Sequence, residues 1–163
     1  MIPKIKKILY ATDLSESARH AFYYAADLAQ RYDAMVTFLY VMEEMNHTVE
    51  FQIRGMLGRK EWERVKSEKL DFLTNKIKSK IEEFCQEMDS QIDSCRLLVE
   101  DILIKSGNPT EEIINTSKEI NADMVVMGSY GYNILMDALI GGTARKVVKN
   151  SKIPVLVVRL PQK

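Results

Sequence analysis

The chain's most distinctive chemistry is framed by glycine. Met127-Gly128-Ser129-Tyr130-Gly131 is followed by nine residues and then by Gly141-Gly142-Thr143-Ala144-Arg145. Gly128 closes a short apolar run, and the Gly-Gly-Thr opens a helical pattern. Glycine permits positive φ and lets backbone N–H groups come close to a ligand. A helix N-terminus adds unpaired N–H donors and a dipole that favours an anion. With the Thr143 hydroxyl, this set can cradle phosphates without a lysine. The same glycines can also do no more than shape a long surface loop. Phosphate binding is the favoured reading because glycine stands at both the strand end and the helix start. Asp13, in Ala11-Thr12-Asp13-Leu14-Ser15, is the second candidate. It either caps the following helix or turns a carboxylate to a ligand. Ser15 is the better-placed cap, so the ligand role is favoured, and beside a polyphosphate Asp13 would also attract a cation.

Other chemistries find little support. No lysine follows the glycines as in a P-loop, and no G-x-G-x-x-G occurs. His20 falls in a helical pattern and His47 in a less regular stretch, both expected at the surface and neither in a Ser/His/Asp arrangement. Glu43, Glu44, Met42, Met45 and His47 lack metal-ligand spacing. Without a general base or a strong phosphate clamp, hydrolysis should be slow at most.

These residues must be positioned by alternating short β-rich runs and longer helical ones. Ile5–Ala11, Met35–Val41, Val99–Lys105, Asp123–Met127 and Ile153–Arg159 read as strands, the second almost continuously apolar, as in a parallel sheet covered on both faces. Glu16–Tyr32 reads as a helix, with Ala18, Phe22, Ala25, Ala26 and Ala29 on one face and Ser15 as N-cap. Asn108 as cap, Pro109 at the first position and Glu111 three residues after the cap begin another helix, whose apolar side is Ile113, Ile114 and Ile120. A short last helix runs from Gly142 to about Asn150, with Ala144, Val147 and Val148 facing inward. From Arg59 to Met88 a charged helix carries the stripe Leu70, Leu73, Ile77, Ile81, Phe84 and Met88. At about 45 Å it exceeds what a sheet needs, so its first turns, around Trp62, are expected to project or break away. Residues 42–57 suit a solvated loop or short helix. Strands separated by helices imply an α/β fold with a parallel sheet and helices on both faces. Ligands of such folds sit beyond the carboxyl ends of the strands, where strand order reverses.

Length and composition narrow the class. With 163 residues, 46% of them hydrophobic and 28% charged, the chain suits one globular domain. Lys plus Arg and Asp plus Glu both total 23, so no basic excess points to nucleic acid. No apolar run approaches the roughly 18 residues a membrane helix requires, and no signal peptide is expected. The only cysteines, Cys85 and Cys95, form no CxxC pair. Two ordinary thiols in a reduced cytoplasm are the favoured reading, a regulatory disulfide the minor one.

The G-x2-G-x9-G spacing of Gly128, Gly131 and Gly141 resembles the ATP-binding signature of the universal stress proteins, the UspA-like family. ILYATDLSESA is similar to that family's first strand and loop, Gly107-Asn108-Pro109 to its third-strand turn, and Lys152-Ile153-Pro154-Val155-Leu156-Val157-Val158 to its last strand. The resemblance spans essentially residues 1–163 as one domain, apart from a variable loop or helix insertion at about 43–65. It implies a three-layer, Rossmann-like sandwich of the adenine-nucleotide alpha-hydrolase type, with a five-stranded, mainly parallel sheet of order 3-2-1-4-5. It implies a cytoplasmic, regulatory stress-response module that binds ATP, or ADP or AMP, with Mg2+ possible at the phosphates and little or no turnover. Ala11, Asp13 and Val41 would surround adenine and ribose. Met127, Gly128, Tyr130 and Gly131 would line the ribose and α-phosphate, and Gly141, Gly142 and Thr143 the outer phosphates. A homodimer through the C-terminal strand Ile153–Arg159 is a further implication, supported by the edge character that Pro154 gives that strand.

Three positions depart from the family pattern. Gly142 stands where Ser or Thr is usual, at a loss on the order of 1 kcal/mol of binding. Ala11 stands where Pro is frequent, and Tyr130 stands for His or Arg, without their charge. A stress protein that binds other proteins and has lost the nucleotide is the alternative. An ATP-pyrophosphatase-like enzyme ranks lowest, because Ala11-Thr12-Asp13-Leu14 is not the Ser-Gly-Gly-rich loop it would need.

Overall fold

In a computed structural model, which describes residues 1–88, 98–130 and 140–161, five strands form one sheet of order β3-β2-β1-β4-β5. The elements run β1 (Lys7–Thr12), α1 (Glu16–Tyr32), β2 (Met35–Met42), α2 (His47–Leu57), α3 (Arg59–Met88), β3 (Val99–Ser106), α4 (Pro109–Glu119), β4 (Met124–Gly128), α5 (Gly142–Asn150) and β5 (Val155–Val158). Every strand pairing is parallel, with Ala11 of β1 opposite both Leu39 of β2 and Met127 of β4. The strand order and the α/β class agree with the sequence reading. The last strand is shorter than the Ile153–Arg159 expected, because Ser151 and Ile153 bond to each other in the turn before it.

Strand alternation sorts the core into two layers. Ile8 and Tyr10 of β1, Val36 and Phe38 of β2 and Val126 of β4 face the cluster formed with α1 and α3. There Tyr10 meets Phe38 edge-on at 4.9 Å between ring centroids, and Phe22 lies 5.5 Å from Phe84. Leu9, Ala11, Leu39, Val125 and Met127 face the opposite way, against Ile113 of α4 and Ala144 and Val147 of α5. The Tyr10 hydroxyl donates to the Ala18 carbonyl at 2.6 Å, and burial pushes its pKa well up. It is a structural phenol, tying the first turn of α1 to β1.

α3 is continuous from Arg59 rather than broken near Trp62. Trp62 is buried against α2 and its Nε1 donates to Glu50 at 3.3 Å. Residues 47–57 form the short helix α2, which is capped by Asn46 and has no buried residue of its own. Two expected core positions are exposed. They are Leu70 of α3 and Val148 of α5. Cys85 is buried beneath the sheet and disulfide-bonded, not the free thiol expected; Cys95 lies outside the described residues.

Candidate functional site

β1 departs toward β2 and β3 on one side, and the chain returns to β4 and β5 on the other. The carboxyl ends of β1 and β4 therefore diverge at the switch point of the sheet, the place where open α/β sheets hold ligands. A cleft of about 390 Å³ opens there, on the face covered by α4 and α5. That volume lies within the usual range for small-molecule sites.

The β1–α1 loop forms one wall. It is built by short-range bonds: Thr12 Oγ1 accepts from the Leu14 N–H at 3.0 Å, Asp13 Oδ1 from the Ser15 N–H at 2.9 Å, and Ser15 Oγ from the Ala18 N–H at 3.2 Å. These bonds hold Leu14 at φ 64°, in the left-handed region, where a branched side chain is disfavoured. Ser15 is the N-cap, as its position in the sequence suggests. Asp13 does not cap α1, since Ser15 does. One oxygen braces the loop, while the exposed residue lines the cleft.

The facing wall is the end of β4. A Cβ at Gly128 would lie 2.6 Å from Ser17 Oγ and 2.9 Å from the Ala18 nitrogen and the Ser17 carbonyl carbon. Gly128 is thus demanded by the first turn of α1 packing against the strand end, a reason the sequence alone does not reveal. The next residue, Ser129, donates its N–H to the Val158 carbonyl at 2.9 Å and to Ser17 Oγ at 3.2 Å. Among the described residues its own hydroxyl, fully buried, has no hydrogen-bond partner, and the residue lines the cleft. An orphaned buried hydroxyl is costly unless something joins it.

α5 supplies the rim. The Ser129 carbonyl accepts from the Gly141 N–H at 2.5 Å, drawing the helix start to the end of β4. Gly141 is the N-cap and has no side chain to bond the first-turn donors. The first residues of that turn, Gly142, Thr143 and Ala144, line the cleft, where the N–H donors and positive dipole end of a helix start favour an anion. A Cβ at Gly142 would meet nothing within 4 Å.

Nine of the ten expected residues, Ala11, Asp13, Val41, Met127, Gly128, Tyr130, Gly141, Gly142 and Thr143, line this one cleft. The tenth, Gly131, lies outside the described residues. The structure adds Thr12, Glu43, Ser129 and Lys146 as polar lining residues that the sequence reading did not place in the site. Lys146 follows Gly142 by one helical turn, a spacing that could have flagged it. Pro109 and Ile113 close the apolar side from α4. His20 packs edge-on against Tyr23 and Tyr24, and His47 is exposed, so neither reaches the cleft. Among the described residues no group of His, Cys, Asp or Glu is arranged to hold a metal ion, and no helix is long and apolar enough to cross a membrane.

The sequence profile described as "Universal stress protein family" matches residues 4–159. The chain is 32% identical over 158 residues to universal stress protein MJ0577 of Methanocaldococcus jannaschii, with 94% of each chain covered. A solved structure of MJ0577 superposes with a TM-score of 0.72 at 27% identity, covering 99% of this chain and all of the other. Universal stress protein UspA from Lactobacillus plantarum shares the fold at a TM-score of 0.73 and 20% identity, with 97% and 100% covered. So does an Archaeoglobus fulgidus universal stress protein solved in complex with dAMP, at 0.58 and 18%, with 97% and 99% covered. By profile, sequence and fold together, this chain belongs to the universal stress protein family.

Proposed function

We propose that the cleft between Asp13 and Gly128 binds an adenine nucleotide, ATP or the shorter ADP or AMP, and that the protein acts as a regulatory stress-response module in the cytoplasm. One observation carries this reading: α5 begins at Gly141 without a side-chain cap, and its first residues, Gly142, Thr143 and Ala144, line the cleft. The orphaned Ser129 hydroxyl in the same cleft supports it, and so does the dAMP held by a relative of the same fold. Ala11, Asp13 and Val41 surround adenine and ribose. Met127, Gly128, Tyr130 and Gly131 flank the ribose and first phosphate, and Gly141, Gly142 and Thr143 hold the outer phosphates. Mg2+ enters only with a polyphosphate, because among the described residues Asp13 and Glu43 are the only acidic ones lining the cleft. Among the described residues none is placed as a catalytic base, which supports a turnover that is slow or absent.

The domain extends over the whole chain, with α2 and the start of α3 as the variable insertion. β5 is an edge strand whose Val155, Leu156 and Val157 are half-buried, and a second copy pairs along it to form a homodimer. Light scattering that gives a monomer near 18.7 kDa at micromolar concentration would contradict the dimer. A protein-binding role without nucleotide is the second reading, favoured by Val49, Phe51, Met56 and Leu57 exposed on α2. Mass analysis of nucleotide released by heat from purified protein separates the two. Adenine nucleotide in the supernatant is the expected result. Empty protein that also shows no thermal shift with millimolar Mg-ATP overturns the nucleotide reading.

A further inference from the structure

We infer that Lys146 makes the cleft sensitive to phosphate number, so that affinity rises from nucleoside to monophosphate to triphosphate. The inference rests on the nucleotide reading above and adds a residue and a selectivity to it. Lys146 stands one turn after Gly142, on the same face of α5, and lines the cleft beside Gly142 and Thr143. Lys6, Lys66, Lys80 and Lys105 each pair with a carboxylate, whereas no ion pair involves Lys146 among the described residues. Its ammonium is therefore available to an anion in the cleft.

The charges of the cleft are divided by topology. Asp13 follows β1, and Glu43 follows β2, the neighbour of β1 away from the switch point. Lys146 belongs to α5, on the β4 side. A nucleotide lying with its base toward Val41 and its phosphates toward Gly141 meets carboxylates at the nucleoside end and a cation at the phosphate end. The dipole of a helix start favours an anion only within its first turn. Lys146, one turn further on, extends that attraction to phosphates that lie beyond it. Tyr130 stands where the family has His or Arg, which leaves Lys146 as the one basic residue among the described residues lining the cleft.

The test is calorimetric binding of adenosine, AMP and ATP to the full chain and to Lys146→Gln, Lys146→Arg and Lys149→Gln, at low and high salt. Lys149 is exposed on α5 and outside the cleft lining, so its variant removes the same charge elsewhere. Lys146→Gln should weaken ATP about fivefold, weaken AMP less, leave adenosine within about twofold, and flatten the salt dependence of ATP binding. Lys146→Arg should restore most of the ATP affinity, and Lys149→Gln should bind like wild type. Unchanged preference for ATP over adenosine in a folded Lys146→Gln protein overturns the inference while leaving the nucleotide site standing. An equal loss in Lys149→Gln overturns it too, as an effect of overall charge. Failure of the wild type to bind any of the three overturns the nucleotide reading itself.

Discussion

Replacing Gly142 by serine separates what the helix start does for the fold from what it does for a ligand. An added Cβ meets no heavy atom within 4 Å, and the substitution puts a hydroxyl on the first residue of a helix whose cap offers none. Two effects follow. Removing a glycine from a position another residue can adopt stabilises the protein by about 0.4–1 kcal/mol, chiefly by restricting the unfolded chain. For a chain of this length, at about 2–4 °C per kcal/mol, the melting temperature should rise by roughly 1–4 °C. The hydroxyl also gains a hydrogen bond to a phosphate, worth about 1 kcal/mol, or about fivefold in ATP affinity. Adenosine, which has no phosphate, should bind as before. Thermal unfolding and titration calorimetry on the same preparation read both effects. A fall in melting temperature refutes the claim that the site is open. A higher melting temperature with unchanged ATP affinity refutes the placement of phosphates at this turn.

Three more expectations follow from the packing around the cleft. Gly128→Ala forces a methyl to 2.6 Å from Ser17 Oγ and against the backbone of α1, so denaturant unfolding should show a loss of about 1–3 kcal/mol. Ser129→Ala removes a buried hydroxyl without a partner; the ligand-free protein should gain stability, by up to about 1 kcal/mol, while nucleotide affinity falls. A loss of ligand-free stability would mean that the hydroxyl is already satisfied. Glu87 binds Arg19 and accepts from the Tyr23 hydroxyl at 3.0 Å, which hold its carboxyl below the ordinary range. A lowered carboxylate contributes stability above its unfolded value, about pH 4.3, and loses that contribution as pH falls through its folded value. Glu87→Gln should therefore flatten the acid side of the melting-temperature profile and leave its slope near neutral pH unchanged.

The fold was legible where local chemistry decides it. Ser15 and Asn108 cap α1 and α4 as their neighbours in the chain suggest, and the apolar runs of β2 and β4 mark strands covered on both faces. The expected site also gathers at one cleft, because its residues follow strand ends that parallel topology must bring together. What local pattern misses is set by distant neighbours. Leu70 fits the period of the α3 stripe but is exposed. Trp62 packs against the segment before it, as its place in the chain suggests, but that segment is the helix α2 and not a loop. Gly128 reads as a ligand-approach glycine until the first turn of α1 is seen against it. Lys146 stands next to Arg145, and its one-turn spacing from Gly142 is the sequence signal that separates the two.

The central claim is that phosphates of an adenine nucleotide rest on the free N–H groups at the start of α5. Amide chemical-shift mapping by NMR during an ATP titration tests it directly. The account predicts the largest shifts at the Gly142, Thr143 and Ala144 amides, with smaller ones at Asp13 and Ser129. Shifts confined to α2 and the start of α3, or none at millimolar ATP, would contradict it.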